Sequence, residues 1–295
     1  MSTTVVIGGS PVGDGSPTVL VYESGINHLG DTDIAKKMID VAISTGWNAV
    51  KFQTRSVDIV YSKEELAKPR ESPFGNTNEA LKLGLEFSKE EYDELDAYCH
   101  QHNFTWFSSC WNEEAVDLIA QYDVPCFKIA SACLTNDHLL KHHRQYKKPI
   151  ILSTAMSTPR QVDRAVEILG TEDLVLMHCV GTYPAKSEQL NLKVIETLKR
   201  RYNIPVGWSG HELGLATTVA SVAMGANIIE RHGTLDRSMY GSDQSASVEP
   251  QGMARISRDI REIEKAMGDG IKRVLPEERP AIAKLRRVDT MKLEG

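Results

Sequence analysis

Residues 19–53 read VLVYESGINHLGDTDIAKKMIDVAISTGWNAVKFQ and contain a complete strand–helix–strand pattern. The apolar runs at 19–23 and 49–53 flank a segment whose apolar residues recur at helical spacing: Ile34, Met38, Val41 and Ala42. Asp31 precedes this stripe and is a suitable helix N-cap. Both runs are almost continuously apolar, which is typical of parallel strands buried on both faces. The stretch therefore predicts one βα unit followed by the strand of the next.

The same type of apolar run occurs eight times along the chain. The runs lie at 19–23 (VLVYE), 49–53 (AVKFQ), 104–108 (FTWFS), 126–130 (CFKIA), 149–153 (PIILS), 174–178 (LVLMH), 205–209 (PVGWS) and 227–232 (NIIERH). The segments between them carry helix start signals, including capping boxes of Ser88 with Glu91 and of Thr158 with Gln161. Eight such units predict an α/β chain folded as a (β/α)8 TIM barrel. A doubly wound sheet is the alternative, but ESGINHLGD (23–31) does not match its GxGxxG turn.

Three segments follow from this pattern. Residues 1–18 contain two turn clusters in IGGSPVGDGSP (7–17) and predict a short hairpin that closes the bottom of the barrel. Residues 19–275 form the predicted catalytic barrel, and the charged, proline-interrupted residues 276–295 form a tail. The longest connection, 54–87, follows the second strand, and a long loop at that end of a barrel is more often functional than accidental.

Composition excludes several classes of function. The chain has 295 residues with 34 Lys+Arg against 40 Asp+Glu, a net charge of −6, so neither nucleic acid nor an anionic membrane is an expected partner. Five cysteines without CxxC spacing support neither a disulfide framework nor a zinc ribbon. No apolar stretch approaches the ~18 residues of a membrane span. We therefore expect a soluble, cytoplasmic protein.

Polar residues cluster where the predicted strands end, which is the catalytic face of such a barrel. Lys51 and Lys128 lie inside otherwise apolar strands, although lysine is rarely buried without a partner. Four nearby serines add hydroxyl donors: Ser109, Ser131, Ser153 and Ser209. Together these groups could bind a phosphate or a carboxylate. The alternative is that each lysine simply pairs with a neighbouring carboxylate, such as Glu23 or Glu230.

His211 and His232 end the last two predicted strands, so their imidazoles could meet over the barrel mouth. Two histidines are a weak metal signal alone, and the nearby carboxylates of Glu230 and Asp243 strengthen it. Structural or proton-transfer roles are the alternative. Five other histidines lie on predicted helices and are expected in solvent: His100, His102, His138, His142 and His143.

Five stretches of the chain resemble the sialic acid synthase family, the phosphoenolpyruvate-dependent N-acetylneuraminate synthases. They are ESGINHLGDTDIAKKMIDVAISTGWNAVKFQT (23–54), FSSCWNEEAVDLI (107–119), FKIASACLTNDHLLKH (127–142), KPIILSTAM (148–156) and GWSGHELGLATTVASVAMGANIIERHGTLDRSMYGSDQSASVEP (207–250). The resemblance covers the family's barrel domain and not its C-terminal antifreeze-like domain. It implies the condensation of phosphoenolpyruvate with an open-chain sugar aldehyde, N-acetylmannosamine or a related sugar, with C–O cleavage and release of phosphate. It also implies a homo-oligomer.

The resemblance also implies roles for individual residues. The residues implied for phosphoenolpyruvate are Lys51, Gln53, Ser109, Lys128, Ser131, Ser153 and Ser209. The residues implied for the acceptor are Asn76, Tyr183 and Asp243, and the catalytic set is Glu23, His211, Glu230, His232 and Asp243. His211 and His232 would hold a divalent metal, Mn²⁺ first and Mg²⁺ or Co²⁺ as alternatives. Such a metal polarises the aldehyde oxygen, while Glu23 acts as base or orienting group for the water that is taken up.

Some positions depart from the family pattern. Gly210, Gly233, Cys133 and Gly181 stand where the family has larger or polar side chains, which implies a roomier acceptor side that hydrogen-bonds a sugar less well. One alternative is therefore the same condensation with an acceptor unlike N-acetylmannosamine. A second is a non-catalytic barrel that binds a ligand or a partner, and a third is a Schiff-base aldolase that uses Lys128.

Overall fold

The structure is a computed structural model and describes residues 3–288. Its strands, in chain order, are β1 (Val5–Ile7), β2 (Ser10–Val12), β3 (Val19–Gly25), β4 (Ala49–Thr54), β5 (Pro69–Ser72), β6 (Gly75–Thr77), β7 (Thr105–Cys110), β8 (Phe127–Ile129), β9 (Ile150–Ser153), β10 (Leu174–Cys179), β11 (Val206–Gly210) and β12 (Ile228–His232). Its α-helices are α1 (Thr32–Ser44), α2 (Val57–Val60), α3 (Lys63–Leu66), α4 (Asn78–Gly84), α5 (Lys89–Gln101), α6 (Glu113–Ile119), α7 (Asp137–Gln145), α8 (Pro159–Leu169), α9 (Val194–Tyr202), α10 (Ala216–Ala223), α11 (Pro250–Met267) and α12 (Arg279–Leu285).

Eight parallel strands close into a barrel in the order β3-β4-β7-β8-β9-β10-β11-β12, and β12 pairs with β3. Each predicted apolar run falls on one of these strands, with both ends within two residues of the prediction. A helix follows every barrel strand and packs outside it. The predicted (β/α)8 TIM barrel is therefore confirmed.

The helix starts also match the sequence signals. The carboxylate of Asp31 accepts a hydrogen bond from the backbone N–H of Ile34 at 3.0 Å, as an N-cap does. Both capping boxes are present: Ser88 with Glu91 begins α5, and Thr158 with Gln161 begins α8. Because these caps satisfy N–H groups that no helical carbonyl reaches, they set where each helix leaves the catalytic face.

The predicted hairpin lies at the amino-terminal end of the barrel. β1 and β2 pair antiparallel, and they bury Val5, Ile7 and Val12. The backbone N–H of Thr3 donates to the carbonyl of Asn203, just before β11. The hairpin thus covers the face opposite the strand ends that carry the polar residues.

The connection between β4 and α5 is structured and is not a plain loop. It contains α2, α3, the β5–β6 hairpin and α4, and it forms a small apolar cluster with the turn after β3: Ile26, Leu29, Phe74, Leu81 and Leu85. Gly30 makes this contact possible, because its φ is +66° and a Cβ atom there would overlap the carbonyl of Gly84. The insertion is therefore packed against the first βα unit.

The carboxyl-terminal segment begins after α11 ends at Met267. Residues 268–288 are almost entirely exposed and include α12. The predicted tail spans 276–295, of which residues 289–295 lie outside the described part of the chain. Between residues 3 and 288, no helix combines the length and apolar character that a bilayer crossing requires.

The expectation that the helical histidines lie in solvent is wrong for His143. Its side chain is fully buried against Phe127 of β8, with ring centroids 5.6 Å apart, because α7 turns that face toward the barrel. Its Nδ1 lies 2.9 Å from the carbonyl oxygen of Leu139. Burial lowers the pKa of His143 to about 4, so the imidazole is neutral at pH 7.

This burial predicts a loss of stability on acidification. Folded His143 stays neutral down to about pH 4, whereas the unfolded chain protonates it below its ordinary pKa of 6.5, so unfolding takes up a proton in between. We expect this residue alone to lower the free energy of unfolding by about 2 kcal/mol between pH 7 and pH 5. His143→Gln should remove that component in urea titrations at both pH values. The control His138→Gln, at an exposed position of the same helix, should keep the wild-type pH course, and an unchanged course for His143→Gln would contradict the prediction.

Candidate active site

A cavity of about 290 Å³ opens where the barrel strands end. All the predicted site residues except Asn76 and Asp243 line it: Glu23, Lys51, Gln53, Ser109, Lys128, Ser131, Ser153, Tyr183, Ser209, His211, Glu230 and His232. The strand register places several of them at one level, because Glu23 pairs with Lys51, Ser109 with Lys128 and Ser209 with Glu230. Alternation along each strand turns the neighbouring residues outward.

Four charged side chains form the floor of this cavity, and we call Glu23, Lys51, Lys128 and Glu230 the charge quartet. Lys51 Nζ lies 2.9 Å from Glu23 Oε2 and 3.5 Å from Glu230 Oε2. Lys128 Nζ donates to both carboxylate oxygens of Glu230 at 3.0 Å. All four side chains are at least 95% buried. Both lysines thus have the carboxylate partners that the alternative interpretation expected, while their ammonium groups still face the cavity.

Burial and mutual attraction shift these groups in different directions. Burial raises the pKa of Glu23 to about 7, although the ammonium of Lys51 opposes the shift. Burial also opposes ionisation of Glu230, but Lys128 and Lys51 outweigh it and hold the pKa of that carboxyl well below its usual range. The pKa of Lys128 is lowered by burial, whereas Glu23 and Glu230 raise that of Lys51 against burial. Glu23 is therefore the member of the quartet that can exchange a proton near neutral pH.

Amide and hydroxyl groups surround the quartet. Gln53 Nε2 donates to Glu23 Oε1 at 2.8 Å, and Ser209 Oγ donates to Glu230 Oε1 at 3.0 Å. Ser131 Oγ accepts the backbone N–H of Ala155 at 3.0 Å. Ser109 Oγ is buried and has no hydrogen-bond partner within residues 3–288. Because a buried hydroxyl without a partner costs ~1–3 kcal/mol, this group is poised to donate to a bound anion.

The two site histidines lie close together beside the quartet. The ring centroids of His211 and His232 are 5.5 Å apart. His211 Nδ1 lies 2.6 Å from the carbonyl oxygen of Val180, and its Nε2 lies 2.7 Å from the hydroxyl of Tyr183. His232 Nδ1 is buried without a hydrogen bond in the described chain, 3.8 Å from the carboxylate of Asp243. Burial lowers the pKa of each histidine to about 4, so both are neutral.

These two imidazoles suit a metal ion as a pair of ligands. The carbonyl of Val180 places the proton of His211 on Nδ1 and leaves the Nε2 lone pair toward the cavity, the usual arrangement of a metal-binding histidine. His232 lines the same cavity with its Nδ1 buried beside Asp243, so Nε2 is the nitrogen left to bind an ion. Among residues 3–288, no group of three or more His, Cys, Asp or Glu side chains is arranged to hold one ion. A metal bound here would take its other ligands from substrate and water.

The three predicted acceptor residues lie in three different places. Tyr183 stacks on His211 with ring centroids 4.0 Å apart and is 49% exposed at the cavity mouth. Asp243 follows β12, and its carboxylate lies 3.8 Å from Nδ1 of His232 and accepts a hydrogen bond from Ser242 Oγ. Asn76 is exposed on β6 of the insertion and does not reach the cavity.

The expectation of a roomier acceptor side is wrong at Gly210, Gly233 and Cys133. Gly210 and Gly233 face away from the cavity, and neighbouring side chains already fill their space. A Cβ atom at 233 would overlap the ring of Tyr22, and one at 210 would collide with Trp208, Glu212 and Arg231. Cys133 is buried and does not line the cavity, and its Sγ lies 3.8 Å from the carbonyl of Trp111.

Gly181 is the fourth of these positions, and it does line the cavity, but the side chain of Met156 occupies the space beside it. Sequence reasoning missed Met156, along with other lining residues: Trp111, Ala130, Ala132, Ala155 and Cys179. Their position after a predicted strand end was the available signal. Apolar residues at such positions do not differ in sequence from ordinary loop residues.

A buried ion pair supports the histidines from outside the barrel. Arg231 points away from the cavity, and its Nη1 donates to Glu212 Oε1 at 3.0 Å and to the carbonyl of Gly214 at 3.0 Å. The same Nη1 contacts Thr218 Oγ1 on α10. Because Glu212 follows His211 and Arg231 precedes His232, this pair holds the strand ends that carry both imidazoles.

The fold and this site define a (β/α)8-barrel protein with a cavity at the carboxyl ends of its strands that is lined by buried lysines and glutamates. The chain belongs to the NeuB family, whose sequence profile matches residues 38–272. It is 36% identical over 271 residues to N-acetylneuraminate-9-phosphate synthase of Homo sapiens, covering 90% of this chain and 75% of that protein. It is 35% identical over 278 residues to N,N'-diacetyllegionaminic acid synthase of Campylobacter jejuni, covering 92% and 83%.

A solved structure agrees with this membership. The sialic acid synthetase of Leptospira borgpetersenii, determined in complex with citrate, superposes with a TM-score of 0.86 at 30% identity. The match covers 98% of this chain and 99% of that one. The barrel and the order of its elements are therefore shared with this family.

The charge quartet predicts a strongly non-additive stability effect. Lys128→Met removes the cation that bonds to both oxygens of Glu230 and leaves only Lys51, 3.5 Å from Oε2, so it should lower the free energy of unfolding by about 3–5 kcal/mol. The double variant Lys128→Met/Glu230→Gln removes both charges and should recover most of that loss. Urea unfolding of both proteins checks this.

Lys89→Met is the matched control for the loss of a lysine. Lys89 makes an exposed ion pair with Asp93 at 2.8 Å, so its removal should cost at most about 1 kcal/mol. Additive losses in the double variant would show that the quartet is not energetically coupled.

Proposed function

We propose that this chain is a phosphoenolpyruvate-dependent synthase that condenses phosphoenolpyruvate with an open-chain sugar aldehyde. C–O cleavage would release phosphate and leave a nonulosonic acid. The observation that carries the proposal is the charge quartet, with Lys51 and Lys128 beside two neutral histidines at the carboxyl ends of the strands. N-Acetylmannosamine or a related sugar is the proposed acceptor.

The family relatives support the reaction class. The human and Campylobacter proteins are named synthases of different products, N-acetylneuraminate 9-phosphate and N,N'-diacetyllegionaminic acid. Two synthases that share a barrel floor but take different acceptors would make different products of this kind. In this chain the floor is the buried quartet, and the acceptor side is formed by the loops above it.

The donor would bind at the floor of the cavity. The ammonium groups of Lys51 and Lys128 attract its phosphate and carboxylate, and the free hydroxyl of Ser109 adds a hydrogen bond. Gln53, Ser131, Ser153 and Ser209 complete the polar lining of this cavity. As C–O cleavage develops negative charge on phosphate, the same donors stabilise the leaving group.

His211 and His232 would hold a divalent metal, and we propose Mn²⁺. Bound there, the metal supplies Lewis-acid polarisation of the acceptor aldehyde. Val180 fixes the tautomer of His211, and the Arg231–Glu212 pair holds the orientation of both strand ends. Tyr183, at 2.7 Å from His211 Nε2, closes this side of the cavity and must shift when a ligand approaches that nitrogen.

Glu23 is the proposed proton-transfer group. Its pKa, raised by burial to about 7, allows the carboxyl to accept a proton from an attacking water and to return it near neutral pH. Gln53 and Lys51 hold the two carboxylate oxygens in place, at 2.8 and 2.9 Å. These two contacts support Glu23 as the group that would exchange a proton at the donor site.

One observation favours a Schiff-base aldolase as a second candidate. Burial lowers the pKa of Lys128, which a nucleophilic lysine requires. Both oxygens of Glu230 hold that ammonium, however, and a nucleophile needs a free amine. Borohydride reduction in the presence of substrate, followed by mass spectrometry of the Lys128 peptide, distinguishes the two: a stable adduct supports the aldolase.

Cytoplasmic location and a homo-oligomer, dimer or higher, belong to the same proposal. Light scattering coupled to size-exclusion chromatography tests the second, and a mass equal to one chain would reject it.

Donor binding should depend on the cavity cations. Lys51→Ala and Lys128→Ala should each weaken phosphoenolpyruvate by about 10- to 150-fold, since a hydrogen bond to a charged group contributes ~1.5–3 kcal/mol. Calorimetric titration measures this directly. Ser109→Ala should weaken binding less than either lysine variant, because it removes a hydrogen bond but no charge.

Ser108→Ala is the matched control, because the Ser108 hydroxyl faces away from the cavity and bonds to Thr54 Oγ1 at 2.6 Å. It should leave the dissociation constant unchanged. Full donor affinity in both lysine variants would mean that the anion binds elsewhere.

Metal dependence should rest on the two site histidines. His211→Ala and His232→Ala should each lose tight Mn²⁺ binding, measured by equilibrium dialysis, and phosphate release should fall to background. Circular dichroism should show an intact barrel. Undiminished phosphate release after exhaustive chelation, or in either variant, would reject the metal role.

A further inference from the structure

A second cavity, of about 440 Å³, lies outside the barrel wall between α8 and α9. It shares four lining residues with the catalytic cavity: Ala155, Met156, Cys179 and Gly181. The loops after β9 and β10 therefore form a common wall between the two spaces. We call the second one the side pocket.

The side pocket offers apolar surface. Its lining includes the side chains of Val162, Val180, Val194 and Leu198. Its polar side chains already have hydrogen-bond partners: Thr154 with Met177, Ser157 with Ala155, His178 with Leu190, Thr197 with Lys193, and Arg201 and Tyr202 with Asp163. An occupant therefore gains from burying apolar groups and finds few free donors or acceptors.

The side chain of Met156 is the part of the common wall that can move aside. Its backbone is left-handed, with φ +57°, and the residue is 71% exposed, so little packing holds it in place. The side chain lies against Gly181, where it fills the gap between the two spaces. A thioether chain has three rotatable bonds and repacks readily, so it can swing aside and let an apolar chain pass.

The acceptor would lie next to this wall. The charge quartet takes the donor at the cavity floor, so an aldehyde near His211 sits at the mouth, where Tyr183 and Gly181 belong to the same loop. The catalytic cavity of about 290 Å³ is at the lower limit of the ~300–1,000 Å³ of small-molecule sites. A substituted sugar bound with the donor must extend beyond it, and the side pocket is the adjoining apolar space.

We propose that the side pocket binds the apolar N-acyl substituent of the acceptor sugar, with Met156 as its gate. The inference rests on the proposed function and names its substrate class: aldoses that carry an N-acyl group longer than acetyl. Each added methylene that enters the pocket should raise kcat/KM about fourfold, since burying one CH₂ contributes ~0.8 kcal/mol.

The test compares N-acetyl-, N-propanoyl-, N-butanoyl- and N-pentanoylmannosamine as acceptors with phosphoenolpyruvate and Mn²⁺. Wild-type protein should show a rising series in phosphate release. Val194→Phe fills the side pocket from α9 and should flatten that series, while the KM for phosphoenolpyruvate stays unchanged. Glu196→Phe, at an exposed position of the same helix, is the matched control and should keep the rising series. Met156→Gly removes the gate and should favour the pentanoyl compound further.

Calorimetric titration of the same four sugars into the donor-loaded protein gives a readout that does not need turnover. Tighter binding with chain length, lost in Val194→Phe, supports the side pocket. A flat series in the wild type, or an unchanged series in Val194→Phe, overturns it. If phosphoenolpyruvate binds but no sugar releases phosphate, the proposed function fails, and the titrations alone then decide the side pocket.

Discussion

The site depends on keeping two lysines and two glutamates charged inside a barrel that is otherwise apolar. One buried ion costs several kcal/mol in a protein interior. The ion pairs of the quartet offset that cost, because Lys51 contacts both glutamates and Lys128 donates to both carboxylate oxygens of Glu230. When Glu23 is ionised, the four charges sum to zero, so the ligand-free cavity then needs no counter-ion. An arriving anion competes for ammonium groups that the quartet already holds in position, so little side-chain entropy is lost on binding.

This constraint explains why much of the site could be predicted from sequence. Lysine in an apolar strand, as at Lys51 and Lys128, has few explanations other than a partner or a ligand, and here the carboxylate partners are present. Strand ends were readable because β-rich apolar runs and helix caps are local signals. His211 and His232 then followed from the order of the strands. The position of Asn76 could not be predicted in this way, because it depends on how the 55–88 insertion packs against Gly30.

The wrong expectations share one physical reason: a single position does not record which neighbour fills its space. In the sequence, Gly233 suggests that a side chain is missing from the site, yet Tyr22 from the adjacent strand occupies that volume. Gly210 makes room for Trp208 and for the Arg231–Glu212 pair. His143 reads as polar on an amphipathic helix, but α7 turns it toward Phe127. Each outcome depends on packing between elements far apart in sequence, which local patterns do not contain.

β12 carries cavity residues on its inner face and a supporting ion pair on its outer face. Glu230 and His232 point inward to the cavity, and Arg231 between them points outward to Glu212 on the loop that follows His211. Strand alternation thus assigns reactive groups to one face and their anchor to the other. Within residues 3–288 no ion pair holds the loops after β9 and β10, where Met156 is exposed and Gly181 has no side chain. Rigidity therefore lies on the donor and histidine side, and adaptability lies where the acceptor's substituent would enter.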